Sequence, residues 1–237
     1  EILRTTFPEV DGAPVQRIAP GIETDEVIRE TDLSGSDAAA VAQAVAEELG
    51  RVIDLAHGPL WRLALFREGP DSWLMTLVMH HIVSDGWTFE LFLRDLARAY
   101  EAAQAGAPPA SDNAPAPQYV EFADRQRREV ERTSMEPLRE ALARRLDGAI
   151  PPLALPEDRP GAGLGARDAA ALPLTFDADL TEQVEAAARA TGASAFMVLL
   201  TAFAATLHRA TGQEDMLLLT PVTGRHRAHA REVYGYF

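Results

Sequence analysis

Two adjacent histidines, His80 and His81, close the apolar run WLMTLVM, and Ser84-Asp85-Gly86-Trp87 follows within a few residues. An imidazole titrates near neutrality, so it can take or give a proton or bind a metal. Side-chain direction decides which of these is open. Successive side chains on a strand point to opposite faces. If strand geometry persists through the pair, His80 and His81 diverge: one faces packing and one faces a cleft. They then neither share a metal nor act as a paired base. There is no cysteine, no HExxH helix and no second histidine cluster with ligand spacing, so no metal site is expected. His226 and His229, around the Arg-rich turn TGRHR, read as solvent-facing.

Asp85 lies four residues past His81, within reach if the chain turns at Ser-Asp-Gly. A carboxylate taken out of water needs a counter-charge or several donors, so an Arg partner from elsewhere in the chain is expected. Ionisable residues at the carboxyl end of a buried strand, at the mouth of a helix, are where α/β proteins commonly place sites. A histidine on an apolar strand is also ordinarily a packed core residue. The residues alone leave both readings open.

The elements that must position these residues follow from hydrophobic periodicity. Apolar strands are expected over Leu60 to Phe66 and Trp73 to Ile82, separated by the turn REGPDS. A helix over Trp87 to Ala105 carries its apolar stripe on Phe89, Leu91, Phe92, Leu96 and Tyr100. Upstream, Glu1 to Phe7 and Pro14 to Ile18 read as strands, and Ser36 to Leu49 as a helix with Ser36 as N-cap and Gly50 as stop. Downstream come a Pro/Ala-rich loop (106–117) and a charged helical stretch from Tyr119 to Leu146, whose arginines read as a solvated face. A Pro/Gly-rich segment follows, then a strand (Ala171 to Phe176), helices over Leu180 to Ala190 and Ser194 to Ala210, and a strand, MLLLTPV, ending at Val222. Strands and helices interleave on both sides of the Pro/Gly-rich segment, which makes the fold α/β with two lobes. The boundaries expected are 1–150 for the first lobe, 151–167 for the crossover and 168–237 for the start of the second.

The bulk numbers exclude several classes. The 237 residues carry 22 basic and 36 acidic side chains, for a net charge of −14. A nucleic-acid or anionic-membrane surface needs the opposite excess. No apolar segment reaches the roughly 18 residues of a transmembrane helix, and no signal peptide opens the chain. A cytoplasmic protein is the simplest expectation. Strand-like apolar text at both termini suggests a piece of something larger.

The segment MHHIVSDGWT resembles the HHxxxDG signature of condensation domains from nonribosomal peptide synthetases, matched by His80, His81, Asp85 and Gly86, with Trp87 as the family often has it. EILRTTF is similar to the tail of the family's first motif through Glu1, Leu3, Arg4, Thr5 and Phe7. YVEFADRQRR, ALPEDRP, the long segment from TGASAF to TGRHR, and YGYF match in family order. Departures are Arg125, where a Trp is common, and Ala141-Leu142, where a Tyr-Trp pair is expected.

The resemblance implies two chloramphenicol-acetyltransferase-like lobes around a tunnel, the first lacking its N-terminal part and the second truncated. It implies an acyltransferase-type activity: amide-bond formation between a donor acyl or peptidyl thioester and the amine of an acceptor aminoacyl thioester. Both substrates ride on phosphopantetheine arms of carrier proteins, with no cofactor bound directly and an adenylation domain as neighbour. It assigns His81 to accept or position the amine proton and the Gly86 N–H to the oxyanion, with His80 as a packing or tautomer-fixing neighbour. Asp85 is assigned to structure, paired with Arg225 as first choice and Arg4 as second. SDGWT resembles condensation domains joining two L-residues. An epimerisation domain, which shares the motif, is the runner-up, followed by a standalone acyltransferase and a non-catalytic recruitment module.

Overall fold

The computed structural model describes residues 1–108, 117–146, 152–156, 172–225 and 228–237, with the side chains of 228 and 229 outside that set. Two compact units divide the chain, Glu1–Ser134 with Val222–Phe237, and Met135–Pro221. The first therefore takes in the C-terminal tail, which the sequence pattern places with the second lobe. Side-chain ties from that tail, described below, account for the difference. Most of the expected crossover, residue 151 and residues 157–167, lies outside the described residues.

The first unit is built on a three-stranded sheet in the order β5 (Ile28–Asp32), β6 (Trp61–Arg67), β7 (Trp73–Met79). Strand β6 runs parallel to β5 and antiparallel to β7, with Trp61 opposite Met79 and Leu63 opposite Leu77. Central β6 is buried over most of its length, as expected of a strand covered on both faces. Its Trp61 and Leu63 pack with Val27, and against them lie Phe92 and Leu96 of α3 (Gly86–Gln104). A second cluster, Ile2, Leu60 and Val83, sits where β7 gives way to α3.

Helix α1 (Thr24–Val27) is a single turn, and α2 (Ala38–Gly50) is capped by Asp37, whose carboxylate accepts from Ala40 N at 2.8 Å. The expected cap, Ser36, lies one residue too early. Glu48, near the end of α2, is buried and receives Arg62 Nε of β6 at 2.5 Å and Arg51 Nη1 at 3.0 Å.

The expected strand over Glu1 to Phe7 is mostly absent. A 3-10 turn covers Ile2–Arg4, and only Thr5–Thr6 (β1) extends, pairing with Arg17–Ile18 (β4). The Thr5 hydroxyl donates to Glu1 O at 2.9 Å, curling the segment so that Ile2 enters the core. Between them Glu9–Val10 (β2) and Ala13–Pro14 (β3) form a small hairpin.

The charged stretch from 119 to 146 is two helices, α4 (Tyr119–Arg132) and α5 (Glu136–Arg145). Pro137 cannot sit inside a continuous helix, so the chain breaks and restarts with it in the first turn.

In the second unit, α6 (Ala178–Thr191) and α7 (Ala195–Thr211) are capped by Asp177 and Ser194. Each ends at a left-handed glycine, Gly192 and Gly212. The expected strands over Ala171 to Phe176 and Met216 to Val222 do not form among the described residues. Most of their described apolar side chains stand in solvent, Leu219 at 97% exposure, while Met216 and Leu218 are half-buried, and no neighbouring strand among the described residues pairs their backbone. No single described helix is long and apolar enough to cross a membrane.

Candidate functional site

Strand β7 ends at Met79, and His80 N still reaches Leu60 O at 2.8 Å, so the sheet holds the chain up to the first histidine. The backbone then turns, and α3 begins at Gly86. Strand alternation thus stops just short of the pair, yet the two rings take separate partners. His80 is half-buried, and its Nδ1 accepts from Ile82 N at 3.0 Å. His81 is exposed, and its Nδ1 lies 2.6 Å from Ser84 O. A carbonyl oxygen only accepts, so His81 Nδ1 carries the hydrogen, and in the neutral ring the lone pair is on Nε2.

Asp85 is the N-cap of α3, and its Oδ1 accepts from Thr88 N at 2.8 Å. Arg225 closes on the same carboxylate from 140 residues away, with Nη2 at 2.9 Å from Oδ1 and Nε at 3.1 Å from Oδ2. Phe237 N adds a donor to Oδ2 at 3.4 Å. With both oxygens committed, Asp85 pins the helix start and has no free lone pair aimed at a substrate. The guanidinium also holds the tail: Nη1 donates to Ala230 O and Val233 O, each at 2.6 Å, and Nη2 to Gly235 O at 3.0 Å. Burial holds its pKa below the ordinary arginine range, and the Asp85 carboxylate opposes that shift only in part. The face of Arg225 lies 3.9 Å from the centre of the Phe237 ring, which packs on Tyr119 and Phe122. Burial raises the Tyr119 phenol above its ordinary range.

Arg4, the second-choice partner for Asp85, instead donates to Ala19 O. Trp87 uses its indole N–H on Arg231 O at 2.8 Å, a further tie from α3 to the tail. Gly86 is the first residue of α3, where a backbone N–H has no intrahelical acceptor, and a Cβ built there meets nothing within 4 Å. His226 and the His229 side chain lie outside the described residues.

Three further participants, Thr88, Tyr234 and Tyr236, are not singled out as site residues by the sequence. Thr88 is fully buried; its hydroxyl donates to Gly235 O at 2.8 Å and accepts from Gly235 N at 3.0 Å and Arg225 Nη2 at 3.1 Å. Tyr236 sets its ring edge-on to His81, 4.8 Å between centroids. Tyr234 donates to Asp95 Oδ2 at 2.6 Å, beside the Arg94–Glu232 pair at 2.9 Å. Burial and that bond push the Tyr234 phenol well above its ordinary range. The Asp-x-x-Thr spacing at the helix start was the available signal for Thr88. Tyr234 and Tyr236 lie in the YGYF segment that matches the family, but nothing in that segment tells which residues its rings meet.

Comparisons with known proteins bear on this arrangement. The condensation-domain family model matches residues 1–237. Phosphinothricin tripeptide synthetase PhsC of Streptomyces viridochromogenes is 38% identical across the whole chain, which spans 22% of that protein. Cyclosporin synthetase simA of Tolypocladium inflatum is 34% identical, with the chain spanning 2% of its length. Among solved structures, the first condensation domain of the calcium-dependent antibiotic synthetase, bound to a substrate analogue, is 29% identical with a TM-score of 0.76. The chain covers 55% of it. The epimerization domain from the third module of tyrocidine synthetase B has a TM-score of 0.80 over 53% of its length, at 22% identity, a likeness of fold alone.

Proposed function

The chain belongs to the condensation-domain family of nonribosomal peptide synthetases, and on that footing we propose that it forms amide bonds between two carrier-bound substrates. The donor is an acyl or peptidyl thioester and the acceptor an aminoacyl thioester, each on the phosphopantetheine arm of a carrier protein, with an adenylation domain nearby in a cytoplasmic synthetase. The SDGWT run favours the type that joins two L-residues. The mixed α/β fold of the family is what the described elements build.

The observation that carries this reading is the exposed His81 ring with Nδ1 tied to Ser84 O. Its Nε2 is free to accept the proton of the acceptor amine as the amine nitrogen bonds to the thioester carbon. The carbonyl electron pair moves onto oxygen, toward the positive end of α3, where the Gly86 N–H stands without an intrahelical acceptor. Collapse of that intermediate expels the thiolate, which takes the proton from His81. No covalent enzyme intermediate is needed, and Asp85, fully engaged by Arg225 and Thr88, stays out of the chemistry.

The test uses an intact synthetase carrying this chain, with donor and acceptor carriers loaded. His81→Ala is expected to slow dipeptide formation roughly 10²- to 10⁴-fold. Near-normal dipeptide formation in that variant removes His81 from the mechanism. Exchange of the aminoacyl α-hydrogen with solvent deuterium, without amide formation, would replace condensation with epimerisation.

A further inference from the structure

The carbonyl of Ser84 anchors one end of the His81 ring, but one hydrogen bond leaves the ring free to rotate about that line. Rotation would carry Nε2 off its target, because a base must sit within hydrogen-bond reach of the proton it takes. The ring of Tyr236 blocks that rotation. Its centroid lies 4.8 Å from that of His81 with the planes at 70°, the edge-to-face arrangement aromatic pairs prefer.

Tyr236 can act this way only if its own backbone is fixed, and both neighbours are held. Gly235 is clasped at N and O by the Thr88 hydroxyl, and its carbonyl also receives Arg225 Nη2. It lies so close to Tyr119 that a Cβ would come within 2.3 Å of that ring, and its φ of +151° suits glycine. On the other side, the Phe237 ring lies under the Arg225 guanidinium. The Tyr236 ring thus meets the imidazole from a backbone held on both sides.

We infer that Tyr236 is a positioning residue that orients the His81 imidazole so that Nε2 faces the acceptor amine. The inference rests on the amide-forming role proposed for His81. Through Gly235 it also gives the Asp85–Arg225–Thr88 network a path to the reacting ring, since what fixes the tail fixes Tyr236.

The experiment measures single-turnover dipeptide formation in the intact synthetase with loaded carriers, comparing Tyr236→Leu, Tyr236→Gln, Tyr236→Phe and His81→Ala. Both ringless variants are expected to lose about three- to tenfold in the single-turnover rate constant, with the half-saturating concentration of acceptor carrier and the unfolding midpoint unchanged. The Phe variant keeps the ring edge and is expected within about twofold of the parent. A full rate in either ringless variant overturns the inference, and so does a Phe variant as slow as they are. If His81→Ala runs at full rate, the proposed role of His81 fails. If His81→Ala is dead while the ringless variants are normal, only the role of Tyr236 fails.

Discussion

Arg225 and Asp85 form a two-point ion pair across 140 residues, 2.9 Å at its shortest, with the arginine side chain 2% exposed and the aspartate 13%. A pair so far from water is held by what would follow from breaking it. Removing one partner leaves the other charged and poorly solvated, at a cost of ~3–5 kcal/mol.

Asp85→Ala is therefore expected to destabilise the protein by ~4 kcal/mol, since it also removes the cap of α3. Arg225→Met should cost at least as much, because it strands the carboxylate and also takes the donors from the Ala230, Val233 and Gly235 carbonyls. Urea unfolding of the two variants checks both the size and the order. A change under ~1 kcal/mol for Asp85→Ala would contradict the structural role given to this residue.

The two site glycines should respond in opposite ways to alanine. Gly235→Ala drives a Cβ into the Tyr119 ring at a backbone angle that side chains rarely adopt, and is expected to cost ~1–3 kcal/mol. Gly86→Ala meets open space at the start of α3, so its thermal unfolding midpoint should hold or rise. Differential scanning calorimetry of the two variants tests the contrast, and an early-melting Gly86→Ala would show a packing constraint that its surroundings lack.

The Glu48 carboxyl gives a dependence on pH. Burial alone would raise its pKa, but hydrogen bonds from Arg51 and Arg62 outweigh burial and hold it below the ordinary range. A folded-state pKa below the unfolded one contributes stability that is present above the unfolded value, about 4.3, and lost as pH falls through the folded one. Unfolding free energy should thus drop more steeply below about pH 4.3 in the parent than in Glu48→Gln. Parallel curves for the two would show that Glu48 gains nothing from its arginines.

The parts of this fold that could be read from sequence are those whose signal is local. Strands β6 and β7 are apolar runs, and α3 carries a continuous apolar stripe, so their residues reveal them. The need of Asp85 for an arginine follows from charge burial alone. Strand β5, with three charged residues among IRETD, has no such pattern; pairing with β6 makes it a strand. The reverse holds for Leu172 to Phe176 and Met216 to Val222, which read as strands but have no partner among the described residues. Thr88 and Tyr236 act on residues about 150 positions away, a distance that no periodicity spans.

Thr88 offers the sharpest test of that long-range stitching. Its hydroxyl serves three hydrogen bonds at once and its surface is fully buried. Thr88→Val keeps the shape and removes the oxygen, leaving the Gly235 N–H buried without its acceptor and removing one acceptor from Arg225. Each stranded group costs ~1–3 kcal/mol, so a loss of ~2 kcal/mol or more is expected. Thr88→Ser keeps the oxygen and gives up one methyl, which costs about 1 kcal/mol. Urea unfolding should rank the parent first, Ser close behind and Val well below. Amide-forming activity should follow the same order, because loosening Gly235 lets Tyr236 drift from His81. If Val lost stability yet kept full activity, Gly235 would be a structural clasp only, with no bearing on the imidazole.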